Sequence, residues 1–545
     1  MARLPSMFPV FTVAGALLLL ACASLPAQHV EAEWNGGPDY AEPIGAATNV
    51  SGVLASSFDS DWFRFVSGGS AYAITRNSAA WVLHDHDGRM LHRSSTAITR
   101  TVYVPPGEHC LEVALTLAAN TAYTVDLVPL STVVTPLSAG PNPGSTSVDL
   151  NGTQSFHSFA LANPSRVVVA SNVGATIELL RQDGRLLLLR ASLDVDLPAG
   201  AYFVRVLHTV ATPCSISLTT TPTPLTDLYP GTREPVSIQT GGAMRLFRLD
   251  VPVPCLARIQ TYSLPGGQTD TELLLYDRNL RVLAAGDDPI YWGTEARLEV
   301  PLPAGSYYVG AFLFWPTWVG SFEIDVDCSA PFPSLPVAGY GTTVVASPGN
   351  GVVGAFAFDV CTPTSVTLTA TTTTLSPNQI IDSCWTVIDD TGVCTGINGY
   401  DFWVNVPNGQ WGSGVRCTRP AAGRNYVLVS RDHWNPFQYS VAITSPLACD
   451  NGQLTAHGRP GDFCLLAVSS ATMPPLHLGQ LGISGSTCLD LSTLFVLGVQ
   501  PYSSQGDAVW LPCGLTPYGV TLQHIDVLAQ PVGPYFAAAR DVLPF

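Results

Sequence analysis

An all-β fold, a row of tandem antiparallel β-sandwiches of jelly-roll type, is what this sequence predicts, on three observations. Short runs rich in Val, Thr and aromatic residues alternate with Gly-, Pro- and Asp-bearing turns, and long helix-forming runs do not occur. The charged fraction is 12% while 46% of the chain is hydrophobic, against about 25% charged in an ordinary globular chain, so the chain is no disordered polyelectrolyte. One phrase is also written more than once: "LPAGAYFVRVL" at 197–207 and "LPAGSYYVGAF" at 302–312, with looser copies in "VPPGEHCLEVA" at 104–114 and "RPAAGRNYVLVS" at 419–430.

The chain opens on a targeting segment. Arg3 supplies a basic n-region, "FPVFTVAGALLLLACA" an apolar h-region, and small residues lead to a cleavage point after Ala27. "LLAC" at 19–22 also resembles a lipobox, in which Cys22 carries a lipid anchor; both routes place the mature chain outside the cytoplasmic membrane. No later stretch has the roughly 20 apolar residues that span a bilayer, so no transmembrane helix is expected in the mature chain. Removing Cys22 from the 13 Cys leaves an even set, which in an exported chain favours disulfides over metal ligation. A net charge of −17 with Arg as the only basic residue type beside His argues against a nucleic-acid partner, because phosphate binding needs a basic footprint.

The Gly of the repeated phrase marks the period. Gly107, Gly200, Gly305 and Gly423 recur at domain-length spacing, and the fourth and sixth residues after each are apolar, Val309 and Ala311 for example. That alternation is a strand with one face buried, launched by a Pro–Gly turn. Upstream of each lies a hairpin signal: "WVLHDHDGRML", "IELLRQDGRLLL", "ELLLYDRNLRVL" and "WTVIDDTGVC". Further upstream stands an aromatic strand: "DWFRFVSGG", "QSFHSFALA", "RLFRLDVPV" and "GAFAFDVCT". One unit of many short strands, written four times, predicts a sandwich or jelly roll for each copy.

The order "DSDWFRF … VLHDHDGRML … PPGEHCLEV … AYTVDLV" resembles the bacterial pre-peptidase C-terminal domain, a small β-sandwich attached to secreted peptidases and bacterial surface proteins. The resemblance covers residues 38 to 330 and, more thinly, 336 to 448; the second copy lacks the Asp-Trp and the fourth has an insertion before its Gly. The last hundred residues, with "GRPGDFCLLAVSS", "FVLGVQPYSSQGDAVWLP" and Ala529-Gln530, resemble the C-terminal β-sandwich module of secreted proteins from planctomycete-like bacteria. The expected division is a signal peptide at 1–27, sandwiches at 38–130, 145–222, 232–330 and 336–448, and the C-terminal module at 449–545. Linkers are expected near 131–147, 219–232 and 329–342, which are rich in Pro, Ser, Thr and Gly.

A pre-peptidase domain invites a search for catalytic residues. No His-Glu-x-x-His, Gly-x-Ser-x-Gly or Walker-type loop occurs, so no catalytic residue is assigned and a non-enzymatic chain is expected; a secreted hydrolase with a site assembled from scattered loop residues is the alternative. In "HDHDG", His84 and His86 share a strand face as metal ligands would, but the Asp87-Gly88 turn accounts for the motif without a metal. Asp59 and Asp61 offer two carboxylates, a fragment of a calcium site, and read better as a solvated strand entry. No cofactor is expected beyond that calcium fragment.

The unusual content is aromatic. "FWPTWVG" at 314–320 and "RDHWNPFQ" at 431–438 replace the "ANT" and "ATP" of the first two copies, placing Trp315, Trp318, Trp434 and Phe437 at loop tips. Exposed rings stack on sugars or anchor protein interfaces, whereas buried ones cap a sandwich end. Tyr291, Trp292, Trp403 and Trp411, in other loops of the same copies, extend such a surface. The expectation is an exported binding or structural protein of the cell surface or its exterior, whose partner is a surface polysaccharide or an envelope protein. A Cys255–Cys328 disulfide is expected from the strand positions in the third copy; Cys361–Cys449 stands similarly in the fourth, against the alternative that Cys449 pairs within the last module.

Overall fold

Eight strands make the third sandwich, and their pairing shows how the repeated phrase works. They are β1 (Arg233–Ile238), β2 (Met244–Val251), β3 (Cys255–Ser263), β4 (Thr271–Asp277), β5 (Val282–Gly286), β6 (Arg297–Leu302), β7 (Gly305–Leu313) and β8 (Gly320–Pro331). One sheet has the order β1-β8-β3-β6 and the other β2-β7-β4-β5. Every one of these pairings is antiparallel. This is the double Greek key of a jelly roll. The protein is seen here in a computed structural model that describes residues 27–30 and most of 41–544, with side-chain surroundings within 41–137 and 154–430. The described residues contain no helix, and the expected all-β class of tandem sandwiches is what they form.

The same order recurs on either side. The eight strands from Gly144–Leu150 to Cys214–Pro222 pair as first-eighth-third-sixth and second-seventh-fourth-fifth, and so do the eight from Thr343–Ala346 to Phe437–Thr444. Near the start of the chain the two sheets are fused. The 16-residue strands Asp61–Arg76 and Thr99–Ala114 each run through both sheets, turning where Gly69 (φ 86°) lies against Pro106. A Cβ on Gly69 would stand 2.8 Å from Pro106 Cγ, so only Gly fits this corner. Strands between Leu447 and Pro544 form three further sheets, of three, five and two strands. The stretch 219–232, expected as a linker, is partly built into sheets: its first four residues end the strand Cys214–Pro222, and Thr226–Asp227 pairs in parallel with β2.

The phrase is a corner device. Gly107, Gly200 and Gly423 have φ of 129°, 154° and 106°, a region open to Gly and strained for other residues. Two residues on, a side chain reaches back to the carbonyl two residues before the Gly. His109 Nε2 donates to Pro105 O at 2.9 Å, Tyr202 Oη to Pro198 O at 2.8 Å, Tyr307 Oη to Pro303 O at 2.9 Å and Asn425 Nδ2 to Ala421 O at 2.8 Å. Three side-chain types make the same bond, so the geometry recurs where the letters do not. Burial pushes the Tyr202 phenol up to about 12, which keeps it a donor at any ordinary pH.

The expectation of one buried face per strand is incomplete. On β4, Leu273 and Leu275 point into the core between the two sheets of the third sandwich, while Leu274 and Tyr276 join Phe312 in a second core with Val167, Leu179 and Val204 of the preceding sandwich. Along β4 and the end of β7 the β2-β7-β4-β5 sheet is therefore buried on both sides, while Arg248 and Asp250 of β2 face solvent. The unbroken runs "ELLLY" and "YVGAF" are its sequence trace, since a two-faced strand has no polar face to alternate with. Each such Leu or Phe stabilises by about 2 kcal/mol relative to an exposed one.

The fourth-to-fifth-strand hairpins of all four sandwiches meet at one junction. Arg281, 6% exposed, lies 3.3 Å from Asp85 of the first sandwich and 3.5 Å from Asp183 of the second. Arg185 Nη2 donates to Asn279 O at 2.7 Å, and the Cys394 amide of the fourth sandwich donates to Asp277 Oδ2 at 3.1 Å. Burial, with the neighbouring Arg281 charge, lowers the Arg185 pKa to about 10. Burial alone would raise Asp183, but Arg185, Arg281 and Arg181 hold it below its ordinary value. In the turns themselves Gly184 and Gly392 take φ of 79° and 74°, and Leu280 takes the same left-handed conformation at 56°. Leu280 holds it because its side chain, 4% exposed, packs in the core shared by the second and third sandwiches.

Candidate functional site

The strands of the third sandwich carry one set of loops toward that junction and the other set away from it. β4 runs from Thr271 to Asp277, and β7 from Gly305 to Leu313, with Thr271 opposite Leu313 and Asp277 opposite Tyr307. Seven strand residues span about 20 Å. The segment after Leu313 therefore lies at the end of the sandwich remote from the junction.

That segment is a tight apolar tip. Phe314, Trp315, Trp318 and Val319 are 42%, 51%, 43% and 59% exposed. The Trp318 amide donates to Trp315 O at 3.0 Å, closing a turn, and the Phe314 amide donates to Asp270 O at 3.1 Å, tying the turn to the neighbouring loop. At its other end a Cβ on Gly320 would stand 2.6 Å from Thr269 Cγ2, so the strand leaves the tip pressed against that same loop. Phe314 and Trp315 meet edge to face at 5.4 Å between centroids, and Trp315 and Trp318 lie tilted at 6.2 Å. The rings support one another, which keeps their faces in place at small entropic cost. Burial raises the pKa of the adjacent Asp270 carboxyl.

Trp315 and Trp318 thus stand where the sequence placed them, and Phe314 and Val319 enlarge the patch. Phe437 opens the last strand of the fourth sandwich, paired with Thr374, and its side chain lies outside the described residues. Trp434, Tyr291, Trp292 and Trp403 also lie outside them. Trp411, expected in a loop, is a strand residue opposite Thr372. The "QWGSGV" stretch around it alternates, but its glycines disguise it as a loop.

Cys255 and Cys328 are neighbours on β3 and β8 but are free thiols, so the expected Cys255–Cys328 disulfide is not formed in this structure. The ladder shifts register between Leu256 and Arg258, with the extra residue on β8, so that Cys255 faces Pro331 rather than Cys328. The two thiols still share a hydrogen bond, which lowers the Cys255 pKa and raises that of Cys328. Cys361 lies outside the described residues, and Cys449 falls on the strand Leu447–Asp450.

The acidic and histidine motifs read differently in the fold. His84 is 5% exposed, bonded at 2.8 Å to Glu112 and stacked on Trp62 at 4.4 Å; His86 lies outside the described residues. Asp61, read as a solvated strand entry, is buried at 2% exposure, because it begins its strand inside the sheet, opposite Val113. Asp59 lies outside the described residues, and among the described residues no cluster of three or more metal-ligating side chains occurs. The junction of Arg185, Arg281 and Asp183 escaped sequence reasoning, although "DGR", "DGR" and "NLR" in three turns carry an Arg at the same place.

No family model matches the chain, and no curated protein does. Among solved structures, the chain is similar to a chain of the lipid-containing bacteriophage PM2 at 10% identity over 55% of this chain and 98% of that one, with a TM-score of 0.12. It is also similar to a mutant Salmonella alpha-2-macroglobulin at 11% identity over 88% of this chain and 36% of that one, with a TM-score of 0.13. Superpositions this loose carry no argument about fold or function.

Proposed function

We propose that this is an exported, non-catalytic protein in which tandem sandwiches of the pre-peptidase C-terminal type form a braced scaffold, and that the aromatic tip of the third sandwich binds a surface polysaccharide. The carrying observation is the exposed, self-supporting cluster of Phe314, Trp315, Trp318 and Val319. A polysaccharide fits it better than an envelope protein. A stable protein interface covers about 800 Å² per partner, more than one four-residue tip offers, whereas a sugar ring needs only a ring face to stack on. The leader at 1–27 delivers the chain, and Cys22 is the lipid-anchor position if the lipobox is used.

The test is retention on insoluble cell-wall and extracellular polysaccharides and on immobilised envelope proteins. The intact chain is compared with one carrying Trp315→Ala, Trp318→Ala, Trp434→Ala and Phe437→Ala. Each stacking ring contributes about 1 kcal/mol, so the four changes together are expected to abolish retention on the polysaccharide. Equal retention by the folded variant defeats the proposal, and hydrolysis of the polymer by the intact chain replaces it with the secreted-hydrolase reading.

The Cys255–Cys328 pair is proposed to close outside the cell, where a dithiol transfers two electrons and two protons to an oxidant such as an oxidised dithiol oxidase. Closing this long loop is expected to stabilise by about 4 kcal/mol. Non-reducing peptide mapping of protein exported by its host should join Cys255 to Cys328; two alkylatable thiols there would refute the closure.

A further inference from the structure

The second and third sandwiches meet along a shared sheet, and a cleft opens over the seam. The strand Leu193–Leu197 touches β2 through the parallel pair Val195–Met244. Above it lies a cavity of about 350 Å³, with Arg166, Asp196 and Arg245 among the residues that line it and Thr221, Thr226 and Ser237 supplying hydroxyls. That size falls at the small end of the roughly 300–1,000 Å³ range of ligand pockets.

The charges at this cleft are already balanced. Asp194, 2% exposed, takes Arg166 Nε at 2.7 Å and Nη2 at 2.6 Å, and Arg245 Nη1 at 3.2 Å. Its pKa is pressed in opposite directions by burial, which raises it, and by the two guanidinium groups, which prevail and lower it. Asp196 takes the Leu246 amide and has Arg245 only at 4.0 Å, so its other lone pairs remain as acceptors toward the cleft. Two Arg and two Asp sum to no net charge, so neither an anion nor a cation gains from entering. A neutral ligand bearing many hydroxyls does gain, because it meets a carboxylate acceptor, guanidinium donors and Thr and Ser hydroxyls. Pro224 and Leu225 add apolar surface for the C–H face of a ring.

We propose that the cleft between the second and third sandwiches is a binding site for a neutral sugar unit, separate from the aromatic tip. The site spans two sandwiches, so it exists only while they are docked. It does not depend on the tip reading, and the two are separable by mutation.

The experiment is saturation-transfer NMR on the full chain with maltose, cellobiose and diacetylchitobiose as probes, and with glucuronate and inorganic phosphate as charged controls. At least one neutral probe is expected to bind. Ser237→Trp, at an exposed edge-strand position, is expected to fill the cleft and abolish binding without changing Tm, and Asp196→Asn to weaken it at least tenfold. The Trp315→Ala, Trp318→Ala variant should bind that probe as the intact chain does. The proposal is overturned if no neutral probe binds, if binding survives both Ser237→Trp and Asp196→Asn, if the tip variant alone loses it, or if only glucuronate or phosphate binds.

Discussion

Arg281→Ala is expected to loosen the sandwiches from one another and to lower stability by about 3 kcal/mol. The guanidinium is 6% exposed and holds Asp85 and Asp183, from two different sandwiches, at 3.3 and 3.5 Å. Burial opposes its charge, but Cys394, Asp85, Asp183 and Asp277 together raise its pKa above the ordinary value. Removing it leaves Asp85, 15% exposed, without this partner; Asp183, at 38%, is screened by water and contributes less. Calorimetry should show the main unfolding transition of the intact chain split into earlier and later parts. Arg248→Ala is the control. Its Asp227 bond is shorter, at 2.7 Å, but Arg248 is 49% exposed, so the loss should stay within about 0.5 kcal/mol. Equal effects from the two variants would mean that the hairpin junction does not brace the sandwiches.

Gly392→Ala is expected to cost about 4 kcal/mol, more than any backbone effect alone explains. The residue has a φ of 74°, and a Cβ there would overlap Tyr307 Oη. Tyr307 is 1% exposed and bonded to Pro303 O at 2.9 Å, so it has no room to retreat without giving up the corner bond. Gly231→Ala isolates the backbone share, because Gly231 has a φ of 81° with nothing within 4 Å of the added methyl. That change should cost about 1 kcal/mol in denaturant unfolding. If the two substitutions cost the same, the turn of the fourth sandwich is not seated on the corner of the third.

These two sites also mark what the sequence could and could not disclose. The Gly phrase, the hairpin turns and the strand periodicity were readable because each is local: a Pro–Gly pair, an Asp–Gly turn and a period of two all act within a few residues. Tyr307 was readable as an inward strand residue. Its bond to Pro303 O was hidden because His109, Tyr202 and Asn425 perform the same task with other letters. The burial of Asp61 and the register slip that parts Cys255 from Cys328 were not readable, since both depend on which strand lies opposite and where a bulge falls. The docking of the sandwiches left only faint signs, an Arg recurring in the turns and apolar runs too long for one-faced strands. The place of Trp315 and Trp318 at a loop tip was readable from "FWPTWVG", while their exposure and their mutual support with Phe314 required the fold.

The central claim is that the tip of the third sandwich stacks on a polysaccharide. It is tested most directly by titrating the intact chain with soluble fragments of the retained polymer while following tryptophan fluorescence. Saturable quenching or a blue shift is expected, and it should vanish in the Trp315→Phe, Trp318→Phe variant, whose remaining tryptophans include the fully buried Trp62, Trp81 and Trp385. An unchanged signal in the intact chain at fragment concentrations that saturate its retention, or an undiminished signal in the variant, would contradict the account.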